Sequence, residues 1–168
     1  MKAIVYVSET GYTYEYAKML SEKCGLPLYS FDDAKKSLEA GSEIVYFAWL
    51  MAGGVVNCKK ALKRWNVKAV CATGLSTFAL DAGDVRKSNR ITEDAALFLL
   101  PGGYAPNKLR GFKRLIMKIV TKSMIKALSE KNDRSELDNK MLEVLKNGGS
   151  FVEEKYLEPV VAFAQLHL

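Results

Sequence analysis

Residues 8–13, Ser-Glu-Thr-Gly-Tyr-Thr, gather three hydroxyls around one glycine between the apolar run Ala3–Val7 and a helical pattern starting near Tyr14. A strand, then such a loop, then a helix is suited to holding a phosphate. The backbone amides of Glu9–Thr13 can converge on an anion, assisted by the positive end of the helix dipole. Ser8, Thr10 and Thr13 add hydroxyl donors, and Gly11 lets the backbone approach closely. The loop contains no lysine or arginine. Glu9 is compatible with an anion if its side chain points to solvent while its N–H points inward. The same residues also suit a helix N-cap and turn that hold no ligand, and the local pattern leaves both readings open.

Other chemistries are excluded more firmly. No G-x-x-x-x-G-K-[ST] motif is present, which argues against a nucleoside triphosphatase. No G-x-G-x-x-G follows the first apolar run, which argues against a dinucleotide site. No cysteine lies in residues 8–13, as a cysteine phosphatase would need. Cys24, Cys58 and Cys71 are too few and too scattered for a disulfide frame or a zinc site, and they read as reduced structural thiols. His167 is the only histidine, so neither a histidine triad nor a multi-histidine metal site is expected.

The elements that must position the loop follow from periodicity. Ala3–Val7, Leu26–Phe31, Ile44–Leu50, Val67–Thr73 and Ala95–Leu100 are short apolar runs that read as strands. Helical patterns over Tyr14–Cys24 and Asn57–Trp65 lie between them; a charged connector spans residues 32–43, and a polar irregular stretch precedes the last strand. Strands buried on both faces and separated by helices predict a doubly wound α/β parallel sheet. Ligands on such sheets bind beyond the carboxyl ends of the strands, where the winding reverses. Three loops leave those ends: Ser8–Thr13, Met51–Asn57 and Gly74–Gly83. A last helix runs towards Leu168, with Pro159 expected in its first turn.

The 168-residue chain suits one domain, has 49% hydrophobic residues and carries a net charge of +6. Lys108, Arg110, Lys113, Arg114, Lys118, Lys122, Lys126 and Lys131, against Glu130 alone, put +7 into one segment and leave −1 elsewhere. Within it Leu109, Phe112, Ile116, Ile119, Val120, Met124, Ala127 and Leu128 form an apolar stripe at helical period. Ser135–Asp138 is a capping-box signature for a second helix, ending at Gly148–Gly149. The absence of a secretory pattern or a bilayer-length apolar stretch predicts a cytoplasmic protein, at most peripheral at a membrane surface.

The run Ile4–Leu20 resembles the first strand, phosphate loop and first helix of flavodoxins, whose loop has the form [ST]-x-T-G-x-T. Ile44–Gly74 is similar to a subgroup of flavodoxin-domain proteins that carry Trp-Leu-Met-Ala-Gly after the third strand. Leu97–Lys122 resembles the tail of the flavodoxin-like, quinone-dependent protoporphyrinogen oxidases, in which an inserted segment follows the fifth strand. The resemblance implies a flavodoxin-like, five-stranded sheet of order 2-1-3-4-5 within a single domain, residues 1–168, carrying a basic helical insertion at about 104–149. It also implies flavin mononucleotide (FMN). The 5′-phosphate would lie on Ser8, Glu9, Thr10, Gly11, Tyr12 and Thr13. The isoalloxazine would lie between Leu50, Met51, Ala52, Gly53 and Gly54 on one side and Thr73, Gly74, Leu75 and Ser76 on the other. Gly53–Gly54 would allow a peptide to approach or reorient at the flavin N5 edge.

The activity implied is that of an FMN-dependent oxidoreductase, with protoporphyrinogen IX as donor and a quinone as acceptor. The alternative is a flavodoxin that shuttles electrons between protein partners. Two departures from flavodoxins stand out. This chain is basic where flavodoxins are acidic, and the aromatics usual in the ring-binding loops are replaced by Trp49, expected in the core, and Tyr104, expected at the surface. Lys108–Lys131 admits three readings: a helix packed by its stripe with solvated lysines, contact with an anionic membrane surface or porphyrin propionates, and, ranked last for want of a motif, nucleic acid.

Overall fold

Apolar runs with β-branched residues pair side by side because each is short, continuous and able to bury both faces. The computed structural model describes the backbone from Met1 to Leu168 and every side chain except those of Ser76 and Lys113. In chain order the elements are β1 (Ala3–Val7), α1 (Tyr12–Cys24), β2 (Leu28–Ser30), α2 (Phe31–Ser37), β3 (Glu43–Met51), β4 (Gly54–Val55), α3 (Cys58–Arg64), β5 (Asn66–Gly74), α4 (Ala82–Asn89) and β6 (Ala96–Pro101). They continue with β7 (Gly103–Tyr104), α5 (Gly111–Glu130), α6 (Glu136–Asn147), β8 (Gly149–Ser150) and α7 (Glu154–Gln165). A 3-10 segment, Leu75–Ala79, follows β5. The chain forms two compact units, Met1–Gly102 with Val152–Leu168, and Gly103–Phe151.

In the first unit β2-β1-β3-β5-β6 run parallel, and β4 folds back antiparallel on β3. Discounting the short β4, this is the flavodoxin-like doubly wound order. Strand alternation sorts the core into two layers. Ile4, Val45, Phe47, Ala69 and Cys71 face α1 and α7, meeting Tyr16, Ala17, Leu20, Leu157, Val160 and Ala164. Ala3, Val5, Ile44, Tyr46, Ala48, Val70 and Ala72 face the other way, meeting Phe31 and Ala34 of α2, Cys58 and Ala61 of α3, and Val85 of α4. Burying each large side chain contributes about 1.5–3 kcal/mol. The Tyr16 hydroxyl donates to the Pro101 carbonyl at 3.0 Å, tying α1 to the end of β6.

The second unit pairs β7 with β8 antiparallel and packs α5 against α6. Ser135 caps α6 as its sequence indicates: its hydroxyl accepts from the Asp138 amide at 3.1 Å, and the Asp138 carboxylate accepts from the Ser135 amide at 2.8 Å. Lys131, then these serine donors, hold the Asp138 carboxyl down to about 2. The cap's contribution is therefore complete above the ordinary carboxylate range and fades only as the pH falls towards that value.

Five expectations need correction. The second strand shrinks to Leu28–Ser30, and the charged connector holds a helix, α2, because Ser30 caps it through the Asp33 amide at 3.2 Å. The polar stretch before β6 holds α4, capped by Asp81 through the Asp84 amide at 3.0 Å. Tyr104 is buried, not at the surface. Pro159 lies inside α7 rather than in its first turn, where its missing N–H leaves the Lys155 carbonyl without its helical donor. Pro159 is exposed and does little packing. Pro159→Ala is therefore expected to raise stability by about 1–2 kcal/mol, measured as a higher midpoint in urea unfolding.

Candidate functional site

The winding reverses between β1 and β3. From β1 the chain passes through α1 on one face of the sheet to β2 on one side; from β3 it passes through α3 on the opposite face to β5 on the other. The pairs Val7–Ala48, Trp49–Thr73 and Gly74–Pro101 align the carboxyl ends. Three adjacent strands thus release three adjacent loops, and these loops with the strand and helix ends that flank them contain every residue expected at the site.

In the first loop α1 starts at Tyr12, two residues earlier than its apolar pattern suggests, with Gly11 as N-cap at φ 106°, ψ −26°. That left-handed conformation is open to glycine and unfavourable for other residues. The amides of Tyr12 and Thr13 fall among the first-turn donors that a helix cannot satisfy itself, and Gly11 supplies no side-chain cap. The Ser8 hydroxyl oxygen accepts from the Gly11 amide at 3.2 Å and the Tyr14 amide at 3.4 Å. These are long bonds, and a charged oxygen would make shorter, stronger ones. Glu9 is exposed, Ser8, Thr10 and Tyr12 are partly buried, and Thr13 is buried. Burial, with the Glu15 charge adding to it, pushes the Tyr12 phenol up.

The second loop is a hairpin. β3 continues through Leu50 and Met51, which pair with Val55 and Gly54 of β4. The two-residue turn, Ala52–Gly53, has both residues at positive φ, 49° and 78°, the pattern of a type I′ turn. A buried side chain from α4 holds it. Asn89 Oδ1 accepts from the Val55 amide at 2.7 Å, while Asn89 Nδ2 donates to the carbonyls of Gly53 at 3.0 Å and Val85 at 2.8 Å. Here the carbonyl of the Gly53–Gly54 peptide accepts from Asn89, and Gly54 pairs with Met51. The Tyr46 hydroxyl adds a 2.6 Å bond to the Val56 carbonyl. Met51 stands exposed beside the turn.

In the third loop Thr73 and Gly74 end β5, and Leu75 and Ser76 begin the 3-10 segment; the Ser76 side chain lies outside the described residues. The Thr77 hydroxyl donates to the Gly74 carbonyl at 2.9 Å. A Cβ on Gly74 would stand 3.2 Å from the Leu50 Cβ, so the glycine lets the second and third loops approach. Thr73 is buried, and its hydroxyl has no hydrogen-bond partner among the described residues. An unmet buried polar group costs about 1–3 kcal/mol, which a polar ligand atom at this strand end would relieve.

Two site residues escape the sequence reading. Asn89 reads as an ordinary polar residue because its partners are distant in the chain. Phe78 is an exposed aromatic of the third loop, its ring edge-on to Tyr156 at 6.2 Å; its aromatic character within a loop rich in small residues was the available signal. Trp49, expected in the core, is only partly buried at the end of β3. Burial pushes the Cys58 thiol up to about 11 and the Cys71 thiol well above its ordinary value, so neither supplies a thiolate at neutral pH.

No protein-family model matches the chain, and neither the curated proteins nor the solved structures searched contain a match to it. The site therefore rests on its own geometry. Asn89→Ala leaves the Val55 amide and the Gly53 carbonyl without their side-chain partner. It is expected to lower stability by about 2–3 kcal/mol, read by denaturant unfolding, with faster hydrogen exchange at the Val55 amide.

Proposed function

We propose that the chain is an FMN-dependent oxidoreductase that binds FMN across the three loops at the winding reversal. The observation that carries this reading is the Ser8–Thr13 loop, with left-handed Gly11 and the first-turn amides of α1, placed at the switch between β1 and β3. Phosphate would be held by those amides with Ser8, Thr10 and Thr13. The hairpin tip Met51–Gly54 and the segment Thr73–Phe78 would take the two sides of the ring. Met51 and Phe78 offer apolar and aromatic cover, and the Thr73 hydroxyl offers an unspent polar contact.

When bound, FMN supplies electron and proton transfer through its isoalloxazine, while the protein contributes binding, orientation and electrostatics. Asn89 holds the tip in one arrangement, which removes part of the ordering cost of binding. A quinone is the acceptor this reading favours: hydrogen taken from the donor as electrons and protons ends on the quinone, giving the quinol. Protoporphyrinogen IX is the donor to test first.

FMN added to the purified protein is expected to bind with a shifted visible spectrum and quenched fluorescence, and riboflavin, lacking the phosphate, at least tenfold more weakly. Gly11→Ala is expected to weaken FMN more than tenfold, because alanine is strained at φ 106°. Glu9→Gln should change affinity less than about twofold, given the exposed carboxylate. Phe78→Ala should weaken FMN and riboflavin alike. Tight binding with turnover of donor and quinone supports the full reading. Binding with electron exchange only between proteins would make the chain a carrier, and refusal of FMN at micromolar concentration would remove the reading altogether.

A further inference from the structure

Phe112, Leu115, Ile116, Ile119 and Val120 recur at the spacing of one helical face, and all five are exposed; Phe112 is 74% and Ile119 64% accessible. The opposite side of α5, through Met117, Thr121, Met124 and Leu128, is the buried or half-buried one. The sequence stripe is therefore divided, and its amino-terminal part faces solvent. Along the flank of this outward face run Arg114, Lys118, Lys122 and Lys126, four residues apart and all exposed. Lys118 and Lys122 also edge a groove of about 470 Å³ whose walls include Tyr104, Leu115, Ile119 and Ile125. An outward apolar stripe bordered by a cation row is the arrangement of a helix lying in a lipid interface.

We infer that α5 docks this protein on an anionic bilayer, lying in the plane of the interface with Phe112, Leu115, Ile116, Ile119 and Val120 in the acyl boundary. The cation row and its neighbours would then reach lipid phosphates. No helix is long and apolar enough to cross a membrane among the described residues, so α5 lies on the surface. Charge selects this occupant over a second copy, which would bring two segments of +7 together. The apolar stripe selects it over nucleic acid, which pairs phosphates with cations and has no use for buried aliphatic side chains.

The test uses the full chain with vesicles of phosphatidylcholine alone and of phosphatidylcholine with about one quarter phosphatidylglycerol, read by co-sedimentation. The expected result is binding to the anionic vesicles, at least tenfold weaker on neutral ones and lost at about 0.5 M salt. Phe112→Ser/Ile119→Ser should reduce anionic binding more than about tenfold and leave thermal unfolding unchanged, since both residues are exposed. Lys118→Gln/Lys122→Gln/Lys126→Gln should cost about fivefold per lysine on anionic vesicles and nothing on neutral ones. Equal binding to both vesicle types, binding to neither, or full binding by the serine variant would overturn the inference. So would a lipid-free dimer in analytical ultracentrifugation that the serine variant dissolves. The readout needs no flavin, so its failure leaves the FMN reading standing, and the converse.

Discussion

The switch in winding between β1 and β3 is the constraint on which the site depends. A parallel sheet buried on both faces must send its chain out at the carboxyl ends, and helices then carry the connections to one face or the other. Where neighbouring strands send their helices to opposite faces, the loops diverge and leave a crevice. β1 and β3 are such neighbours, held in register from Ala3–Ile44 to Val7–Ala48. Ser8 begins immediately after the last pair, and the hairpin pairing begins at Leu50, two residues beyond Ala48. The Ser8–Thr13 loop and the hairpin are thus placed by the sheet before any loop residue acts.

Sheet geometry alone does not shape the hairpin. Its turn uses Ala52 at positive φ, a conformation that costs a non-glycine residue about 1–2 kcal/mol. Asn89 compensates with hydrogen bonds to the turn, at the Gly53 carbonyl, and to β4, at the Val55 amide. Its carboxamide matches the requirement closely: an acceptor for one amide and two donors for two carbonyls. An aspartate would lack the donors, and a leucine would leave both backbone groups unmet. The tip is therefore set by a side chain 34 residues further along the chain than Val55, supported by Tyr46 beneath it.

That separation explains what was legible in the sequence. The five main strands announce themselves as short apolar runs, and the alternation with helices yields their doubly wound arrangement. The first loop is legible because its strand, glycine and helix are contiguous. α2 and α4 are short and charged; their marks were the caps Ser30-x-x-Asp33 and Asp81-x-x-Asp84, which are weaker than an apolar period. The hairpin is illegible locally, since Ala-Gly is poor chemistry for a type I′ turn and its support is tertiary. For α5, periodicity identifies residues that share a face but carries no information on whether that face meets protein or solvent.

The uneven charge is compatible with the anion site proposed for the first loop. Amides and hydroxyls at a helix start supply directional donors without a cationic side chain, so phosphate recognition places no demand on lysine or arginine in residues 8–13. A site that relied on cations would have drawn positive charge into the first unit. Instead the chain outside Lys108–Lys131 sums to −1, and the +7 of that segment serves no backbone-level requirement of the sheet. Self-repulsion of so many like charges along one helix is unfavourable, and Glu130, 3.9 Å from Lys126 at the far end of α5, offsets it only slightly. The inferred docking of α5 on an anionic lipid interface would account for a charge row kept at that cost beside exposed Phe112 and Ile119.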